Sequence, residues 1–283
     1  GADATFEALQ AGAVDFIPKQ SPYVSLEINQ IRDELVSKIL SLTRRRPPSR
    51  TATPPKRPEA AGRGPDRQIC CPDACAVDIG ISTGGPFDLQ QVVPSLPATL
   101  PVPVLIVQHM PPLFTRSLAD RLDALSPLTV CEAKEGLAIR PGMVILAAGG
   151  RHLALKRSGS SVIVTTPLDP PGSAHCPSVD VLFQSACDVF GGGVLGVVMT
   201  GMGRDGLAGA TEIKRRGGTV VVQNEESCVV YGMPKAVAEA GLADAAVPLA
   251  ELAGVLTRAV TPPDRSATRQ SPPRDVRTLH RAG

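Results

Sequence analysis

The stretch from Val77 to Pro86 reads VDIGISTGGP and predicts a buried strand that turns sharply into a helix. Its apolar run ends at Ser82 and Thr83, two glycines then permit a tight turn, and Pro86 suits the first turn of a helix. Three interpretations are open: a phosphate-binding loop, a nucleophile held on a turn, or a strand-to-helix connection capped by hydroxyl groups. The stretch matches neither glycine motif of phosphate-binding loops, and its own residues favour the capped turn.

The same alternation of strand and helix continues along the chain. Runs rich in Val, Ile and Leu have the length of strands: Cys75–Ile81, Val102–Gln108, Met143–Ala147, Val194–Thr200 and Thr219–Gln223. Helix-like segments lie between them: Phe87–Val93, Leu113–Leu125, Val179–Phe190 and Leu207–Arg216. This order predicts an α/β fold with a mostly parallel, Rossmann-like doubly wound sheet. Leu153–Lys156 and Val162–Thr166 flank the turn residues RSGSS and predict an inserted antiparallel hairpin.

Composition divides the chain into four parts. Residues 1–42 hold a predicted helix at Ala4–Gly12, a short buried strand at Ala13–Pro18 and an amphipathic helix at Leu26–Leu42. Residues 43–68 are rich in Pro and Arg and read as a linker, residues 69–260 form the main domain, and residues 261–283 read as a disordered tail. Because the sequence begins at Gly1 within a helical pattern, we expect that the chain is cut upstream and that its N-terminal domain is incomplete.

Overall composition excludes several classes of protein. The net charge of +2 over 283 residues gives no argument for nucleic-acid or membrane binding. The sequence has no apolar run of membrane-spanning length and no signal peptide pattern, which predicts a cytoplasmic protein without membrane insertion. Seven cysteines along a long chain fit reduced thiols, and the cluster Cys70, Cys71 and Cys75 matches no common zinc spacing.

Three reactive side chains follow the ends of predicted strands. Ser82, His109 and Asp205 come after separate strands, and the carboxyl ends of parallel strands meet at one edge of a sheet. A carboxylate that orients an imidazole, which activates a serine hydroxyl, is the arrangement of nucleophilic hydrolysis. Taken singly, each residue has a structural alternative: Ser82 and Asp205 as helix caps and His109 as a strand-end histidine. Of the four histidines, only His109 and His175 lie where a general base is plausible.

The pattern around Ser82 matches the nucleophile elbow of α/β-hydrolases only in part. The segment GISTG fits G-x-S-x-G, but the chain order Ser, His, Asp differs from the order Ser, Asp, His of that fold.

A series of motifs resembles the CheB-type chemotaxis methylesterases. They are GISTGGP around Ser82, VQHMPP around His109, PSVDVLF from Pro177, MTGMGRDGLAG from Met199 and QNEESCVVYGMP from Gln223. The resemblance extends from about Val77 to Leu256. The first twenty residues resemble the end of a response-regulator receiver domain, with Lys19 at the place of a lysine that contacts the phosphorylated aspartate.

The resemblance implies a protein-glutamate methylesterase and protein-glutamine deamidase that acts on the cytoplasmic helices of methyl-accepting chemoreceptors. Ser82 would be the nucleophile, His109 the general base and Asp205 the residue that orients it, and the backbone N–H of Met202 would stabilise the oxyanion. Both reactions would pass through a glutamyl-serine acyl-enzyme, without a metal or organic cofactor. A histidine kinase would serve as phosphodonor only to an intact receiver domain upstream.

Some residues depart from the pattern of the family. Cys176 stands where an arginine usually precedes PSVD, and Gln20 stands where a proline usually follows the receiver lysine. These departures leave an alternative open, a catalytically weak or inactive relative that docks on receptors as a regulatory module. A nucleotide-binding regulator is disfavoured, because the turn after Ser82 lacks a phosphate-binding glycine motif.

Overall fold

The computed structural model describes residues 2–17, 32, 35–36, 38–40, 42–43, 69, 71, 73–168 and 175–261. Most of the predicted helix Leu26–Leu42, together with Lys19, Gln20 and nearly all of the linker and tail, lies outside these residues. The described positions between 32 and 43 are helical. The predicted division into domains stays a prediction.

The main body is built on a parallel sheet of seven strands in the order β3-β4-β2-β1-β7-β8-β9. Their bounds are β1 Ala76–Ile81, β2 Val104–Gln108, β3 Thr129–Glu132, β4 Met143–Leu146, β7 Val194–Val198, β8 Thr219–Gln223 and β9 Ala245–Val247. All pairings in this sheet are parallel. A separate antiparallel pair is formed by β5 (Ala154–Ser158) and β6 (Ser161–Thr165). The predicted α/β fold with an inserted hairpin is confirmed.

Helices cover both faces of the sheet. Their bounds are α1 Ala2–Gln10, α2 Gly85–Val92, α3 Pro112–Leu125, α4 Val179–Phe190, α5 Leu207–Arg215, α6 Met233–Glu239 and α7 Leu249–Val260. Side chains of β1 alternate between two cores: Ile79 and Ile81 pack with α2, α3 and α7, whereas Ala76 packs with α4, α5 and α6. Burial on both faces explains why the strands are almost continuously apolar. Within the described ranges, no helix combines the length and apolarity needed to cross a membrane.

The position of β1 at the centre of the sheet decides where reactive groups can meet. The chain leaves β1 for β2 on one side and later returns to β7 on the other, so β1 lies at a topological switch point. The ladder continues one residue beyond the strands: His109 N donates to Ile81 O at 3.1 Å, and Ser82 N donates to Thr200 O at 2.9 Å. The segments after β1, β2 and β7 therefore lie side by side at the carboxyl edge.

The N-terminal segment differs from its prediction in one respect. Helix α1 agrees with the predicted helix and places Leu9 in the core, while the rings of Phe16 and Phe114 of α3 contact each other in a tilted arrangement, with centroids 4.5 Å apart. The strand predicted at Ala13–Pro18 is wrong for the described residues 13–17, which are irregular, and Val14 is 41% exposed. A strand needs a neighbour to satisfy its backbone groups, and no described segment pairs with this one.

A buried carboxyl group lies in the middle of the sheet at Asp78 of β1. The residue is fully buried, and neither carboxyl oxygen has a hydrogen-bond partner among the described residues. Burial raises the pKa of Asp78 well above its usual range, because the charged form loses its hydration there. Burial, and then the nearby charge of Asp78, also raise the pKa of the Cys187 thiol of α4 to about 12. Asp78 therefore lowers the stability of the folded state.

We expect Asp78→Ala to raise the free energy of unfolding at pH 7 by about 1–3 kcal/mol, because it removes an unpaired buried polar group. A carboxyl group whose pKa is raised in the folded state loses its contribution to stability as pH rises above its unfolded pKa. The gain should therefore be smallest near pH 4 and grow with pH. Urea unfolding followed by circular dichroism at several pH values measures it.

Asp123→Ala is the matched control, because the Asp123 carboxylate accepts a hydrogen bond from Val130 N at 2.7 Å. The free energy of unfolding of this variant should be about 1 kcal/mol lower than that of the unsubstituted protein. A loss of stability in Asp78→Ala that equals the loss in Asp123→Ala would contradict the interpretation of Asp78.

Candidate active site

Ser82 lies at the first position after β1, on the turn that leads into α2. Gly84 has φ of 83° and is the N-cap of α2, and no side chain caps this helix. The capped-turn interpretation of Ser82 is therefore wrong. Its hydroxyl group makes no hydrogen bond to any of the described residues, and the residue is half-buried. The turn thus presents an unengaged hydroxyl group at the carboxyl edge of the sheet.

Close backbone packing keeps the turn in place. A Cβ atom on Gly85 would collide with the side chain of Gln108, and a Cβ atom on Gly201 would lie 2.8 Å from Ser82 Cβ. The amide group of Gln108 also donates to Ser82 O at 2.9 Å. Glycine is required at these two positions because neighbouring strands bring other residues into the space of a side chain.

His109 and Asp205 are joined by a short hydrogen bond between Nε2 and Oδ2 of 2.7 Å. Both side chains are largely buried, with 12% and 6% of their surface exposed. Although burial alone would raise the pKa of Asp205, the hydrogen bond and charge of His109 and two backbone N–H groups lower it well below its usual range. A carboxylate can only accept, so Nε2 of His109 carries the hydrogen. Nδ1 is then the nitrogen that can accept a proton.

Asp205 is held by the beginning of α4. Ser178 Oγ donates to Oδ1 at 2.9 Å, Val179 N donates to Oδ2 at 2.8 Å, and Asp180 N donates to Oδ1 at 3.1 Å. The N-cap of α5 is Gly206, without a side-chain cap hydrogen bond. The alternative of Asp205 as the helix cap is therefore wrong. Its carboxylate bonds to His109 and to the start of α4, and Oδ1 also accepts a hydrogen bond from Gly206 N at 3.1 Å.

Two residues that support this arrangement were not singled out by sequence reasoning. Asp180 accepts from Gly206 N at 3.0 Å and from Gly209 N at 2.7 Å, and so ties α4 to the start of α5. His152, which is 1% exposed, accepts from Ser178 N at 3.2 Å. Asp180 belongs to the PSVD motif, which was the available signal. His152 lies just before β5, and no pattern in the sequence connects it to Ser178.

His175 stacks on His109, with ring centroids 4.4 Å apart and an angle of 17° between the planes. The sequence left both histidines as candidates for a general base, and only His109 has the carboxylate partner. Burial lowers the pKa of His175, and the charge of His109 lowers it further. The neutral form of His175 is favoured, and it covers one face of the His109 ring.

The loop after β7 is fixed beside the Ser82 turn. Thr200 Oγ1 donates to Thr83 O at 2.9 Å, and Gly201 O accepts from Gly232 N at 3.0 Å and from Met233 N at 2.9 Å. Met202 comes next and is half-buried. Its proposed role in binding an oxyanion stays a prediction, and the preceding Gly201 lies against Ser82.

A buried hydrogen-bond network supports this loop from below. The Gln223 amide accepts from Thr200 N at 2.8 Å and donates to Asp88 Oδ2 at 2.9 Å. Burial raises the pKa of Asp88 to about 6, against the opposing effect of the Gln223 hydrogen bond. The end of β8 and helix α2 are thereby coupled to the loop. Sequence reasoning missed this network, because single glutamines at strand ends carry no recognisable pattern.

The described cysteines do not form a metal centre. No three His, Cys, Asp or Glu side chains in the described part of the chain cluster closely enough to hold a metal ion. Cys71 donates instead to Thr219 Oγ1 at 3.1 Å, and Cys70 lies outside the described residues.

The ring of His109 provides a direct test of this geometry. In the pH range where the ring is neutral, we expect the hydrogen on Nε2, which nitrogen chemical shifts of ¹⁵N-histidine report. In Asp205→Asn the preference should weaken, because a neutral amide accepts less strongly than a carboxylate. A neutral ring with its hydrogen on Nδ1 in the unsubstituted protein would contradict the assignment.

Comparisons with known proteins agree with this fold. The family model of the CheB methylesterase matches residues 77–256. A protein-glutamate methylesterase/protein-glutamine glutaminase of Symbiobacterium thermophilum is 43% identical over 269 residues, which cover 92% of this chain and 74% of the relative. A relative with the same name from Pyrococcus abyssi is 40% identical over 263 residues, which cover 92% of this chain and 70% of the relative.

A solved structure is similar over the main body of the chain. The crystal structure of the Thermotoga maritima CheB methylesterase catalytic domain is 42% identical and superposes with a TM-score of 0.63, covering 65% of this chain and 97% of that domain. The resemblance found in the motifs is confirmed by these matches, and the chain belongs to the CheB methylesterase family.

Proposed function

We propose that this chain hydrolyses the methyl esters of glutamyl side chains and the amides of glutaminyl side chains on chemoreceptor helices, with Ser82 as nucleophile. The reaction would serve chemotaxis adaptation. The enzyme class, a carboxylic ester hydrolase with glutaminase activity, follows from membership of the family. The observation that carries the mechanism is the 2.7 Å hydrogen bond between His109 and Asp205, at the edge of the sheet where the half-buried Ser82 also lies. Asp205 fixes the ring, and Nδ1 is left to act as a base.

The first step forms an acyl-enzyme. Nδ1 of His109 takes the proton of the Ser82 hydroxyl while Oγ attacks the side-chain carbonyl carbon of the substrate. The imidazolium that results is stabilised by the Asp205 carboxylate, and the oxyanion by the backbone N–H of Met202. His109 then returns the proton to the leaving oxygen or nitrogen. Methanol or ammonia departs, and a glutamyl ester of Ser82 remains.

The second step restores the enzyme. Water takes the place of the departed group, His109 removes one of its protons, and the hydroxide oxygen attacks the acyl carbon. When the tetrahedral intermediate collapses, the proton passes to Ser82 Oγ and a glutamate side chain is released. A methyl ester and a primary amide differ only in the leaving group, and both leaving groups need one proton from the same base. One site can therefore carry out both reactions.

The competing hypothesis is a receptor-docking module without chemistry. It is kept open by Cys176, which stands at the place of the usual arginine, next to the stacked His175. A module of this kind has no use for a buried carboxylate with hydrogen bonds from His109, Ser178 and Val179. The network around Asp205 therefore supports the enzyme.

Release of labelled methanol from methylated receptor membranes tests the proposal. Ser82→Ala should lower the rate by about 10⁴-fold or more, by analogy with other triads, and His109→Ala should be comparably severe. Ser95→Ala is the matched control, because this exposed hydroxyl group bonds only to Gln91 O on the described part of the chain. Release of methanol by Ser82→Ala at the unsubstituted rate would refute the proposal. Receptor binding by the unsubstituted protein without methanol release would favour the docking module.

A further inference from the structure

A cleft of about 340 Å³ adjoins the loop that precedes Asp205. One wall is formed by the loop residues Gly203 and Arg204, and the other by Gly232 and helix α6. Small residues leave the interior open, whereas charged side chains stand at the rim: Arg204, Lys235 and Glu239. The cleft is therefore a polar site with two cations and one anion, and no step of the proposed reaction uses it.

Arg204 is the charged residue of the cleft with no internal partner. It is exposed, and its guanidinium group forms no ion pair or hydrogen bond with the described residues. Lys235 lies 3.7 Å from Glu239 one turn along α6, with 55% and 69% of these side chains exposed. A pair of this kind is weak in water, so Lys235 can still be attracted to another anion. The cleft thus carries an excess of positive charge.

Arg204 lies close enough to the nucleophile to be reached within one or two turns of a helix. Gly201 packs directly against Ser82, and Arg204 follows Gly201 by three residues, which span at most about 11 Å. A turn of α-helix rises about 5.4 Å. A substrate helix with its reacting side chain at Ser82 would therefore bring a side chain four or seven residues away near Arg204.

We propose that the cleft binds the carboxylate of an acidic side chain that neighbours the reacting residue on the substrate helix. The inference rests on the proposed function, since it assumes that a polypeptide helix lies across Ser82. The planar guanidinium group of Arg204 can bind a carboxylate with two parallel hydrogen bonds, and Lys235 adds a second charge. Arg204 is thus a specificity residue, which selects glutamyl sites that have acidic neighbours.

The reaction itself produces the ligand that this cleft would bind. Hydrolysis of a methyl ester or an amide leaves a glutamate carboxylate on the substrate. A site that lies one or two turns from a glutamate already released would then bind better than the same site beside a neutral side chain. The cleft would make the order of hydrolysis along a substrate helix depend on earlier turnovers.

Binding of synthetic helical peptides tests this inference. Each peptide carries one glutamate γ-methyl ester, and the peptides differ only at positions four or seven residues away on either side, where they have glutamate or alanine. Fluorescence anisotropy with the Ser82→Ala protein measures binding without turnover. At least one glutamate peptide should bind about threefold to tenfold more tightly than its alanine counterpart, and the preference should shrink at high salt.

Arg204→Gln in the same Ser82→Ala background should abolish that preference and leave the affinity for the alanine peptide unchanged. Arg140→Gln is the control, because Arg140 is an exposed arginine just before β4, at the opposite edge of the sheet. Arg204→Glu should reverse the preference toward a peptide with lysine at the same position.

Equal binding of all glutamate and alanine peptides by the protein with Arg204 would overturn the inference, as would a preference that survives in Arg204→Gln. The outcome is separable from that of the proposed function. A preference for acidic peptides that depends on Arg204, together with no methanol release by the unsubstituted protein, would support the cleft and refute the esterase.

Discussion

The arrangement of this site depends on the hydrogen bond between His109 Nε2 and Asp205 Oδ2. It joins segments that follow two different strands, β2 and β7, which do not touch each other. They meet because β1 lies between them, and the three strands are parallel, so their carboxyl ends lie at one edge. The central strand brings Ser82 to the same edge. The topology of the sheet thus creates the site, and the side chains complete it.

The buried carboxylates of this protein show how the environment decides the state of one chemical group. Asp205 accepts hydrogen bonds from His109, Ser178 and the start of α4, and its pKa is lowered despite burial. Asp88 has one such partner in Gln223, and its pKa is raised to about 6. Asp78 has none among the described residues, and burial raises its pKa. The direction of each shift follows from burial set against the hydrogen-bond donors that the carboxylate has.

Much of the fold could be predicted because local pattern and tertiary environment agree. The strands β1, β2, β4, β7 and β8 are buried on both faces and therefore appear as apolar runs, and the hairpin has a turn of small polar residues. The edge strands were missed, because β9 has only three residues and β3 ends in Cys131 and Glu132. The strand predicted at Ala13–Pro18 is wrong for the described residues 13–17, because its apolar residues have no partner strand among the described residues.

The part of the site that could be predicted from the sequence is the set of side chains that follow strand ends. Ser82, His109 and Asp205 follow strands, so their proximity follows from the topology. The contacts that hold these residues in place cannot be predicted in this way, because they join residues remote in the sequence: Ser178 with Asp205, His175 with His109, and Gln223 with Thr200. The two cap interpretations were reasonable from local sequence, but the N-caps of α2 and α5 are glycines with left-handed backbone. The hydroxyl and carboxyl groups are thereby left for other uses.

Trapping the covalent intermediate would test whether Ser82 is the nucleophile. The protein would be mixed with methylated receptor substrate, quenched in acid within the first turnover, and analysed by mass spectrometry after proteolysis. We expect a glutamyl adduct on the peptide that contains Ser82, and no such adduct when His109 is replaced by alanine. Turnover of the substrate with the adduct on another residue, such as Cys176, or with no adduct under conditions that stabilise acyl-serine esters, would contradict it.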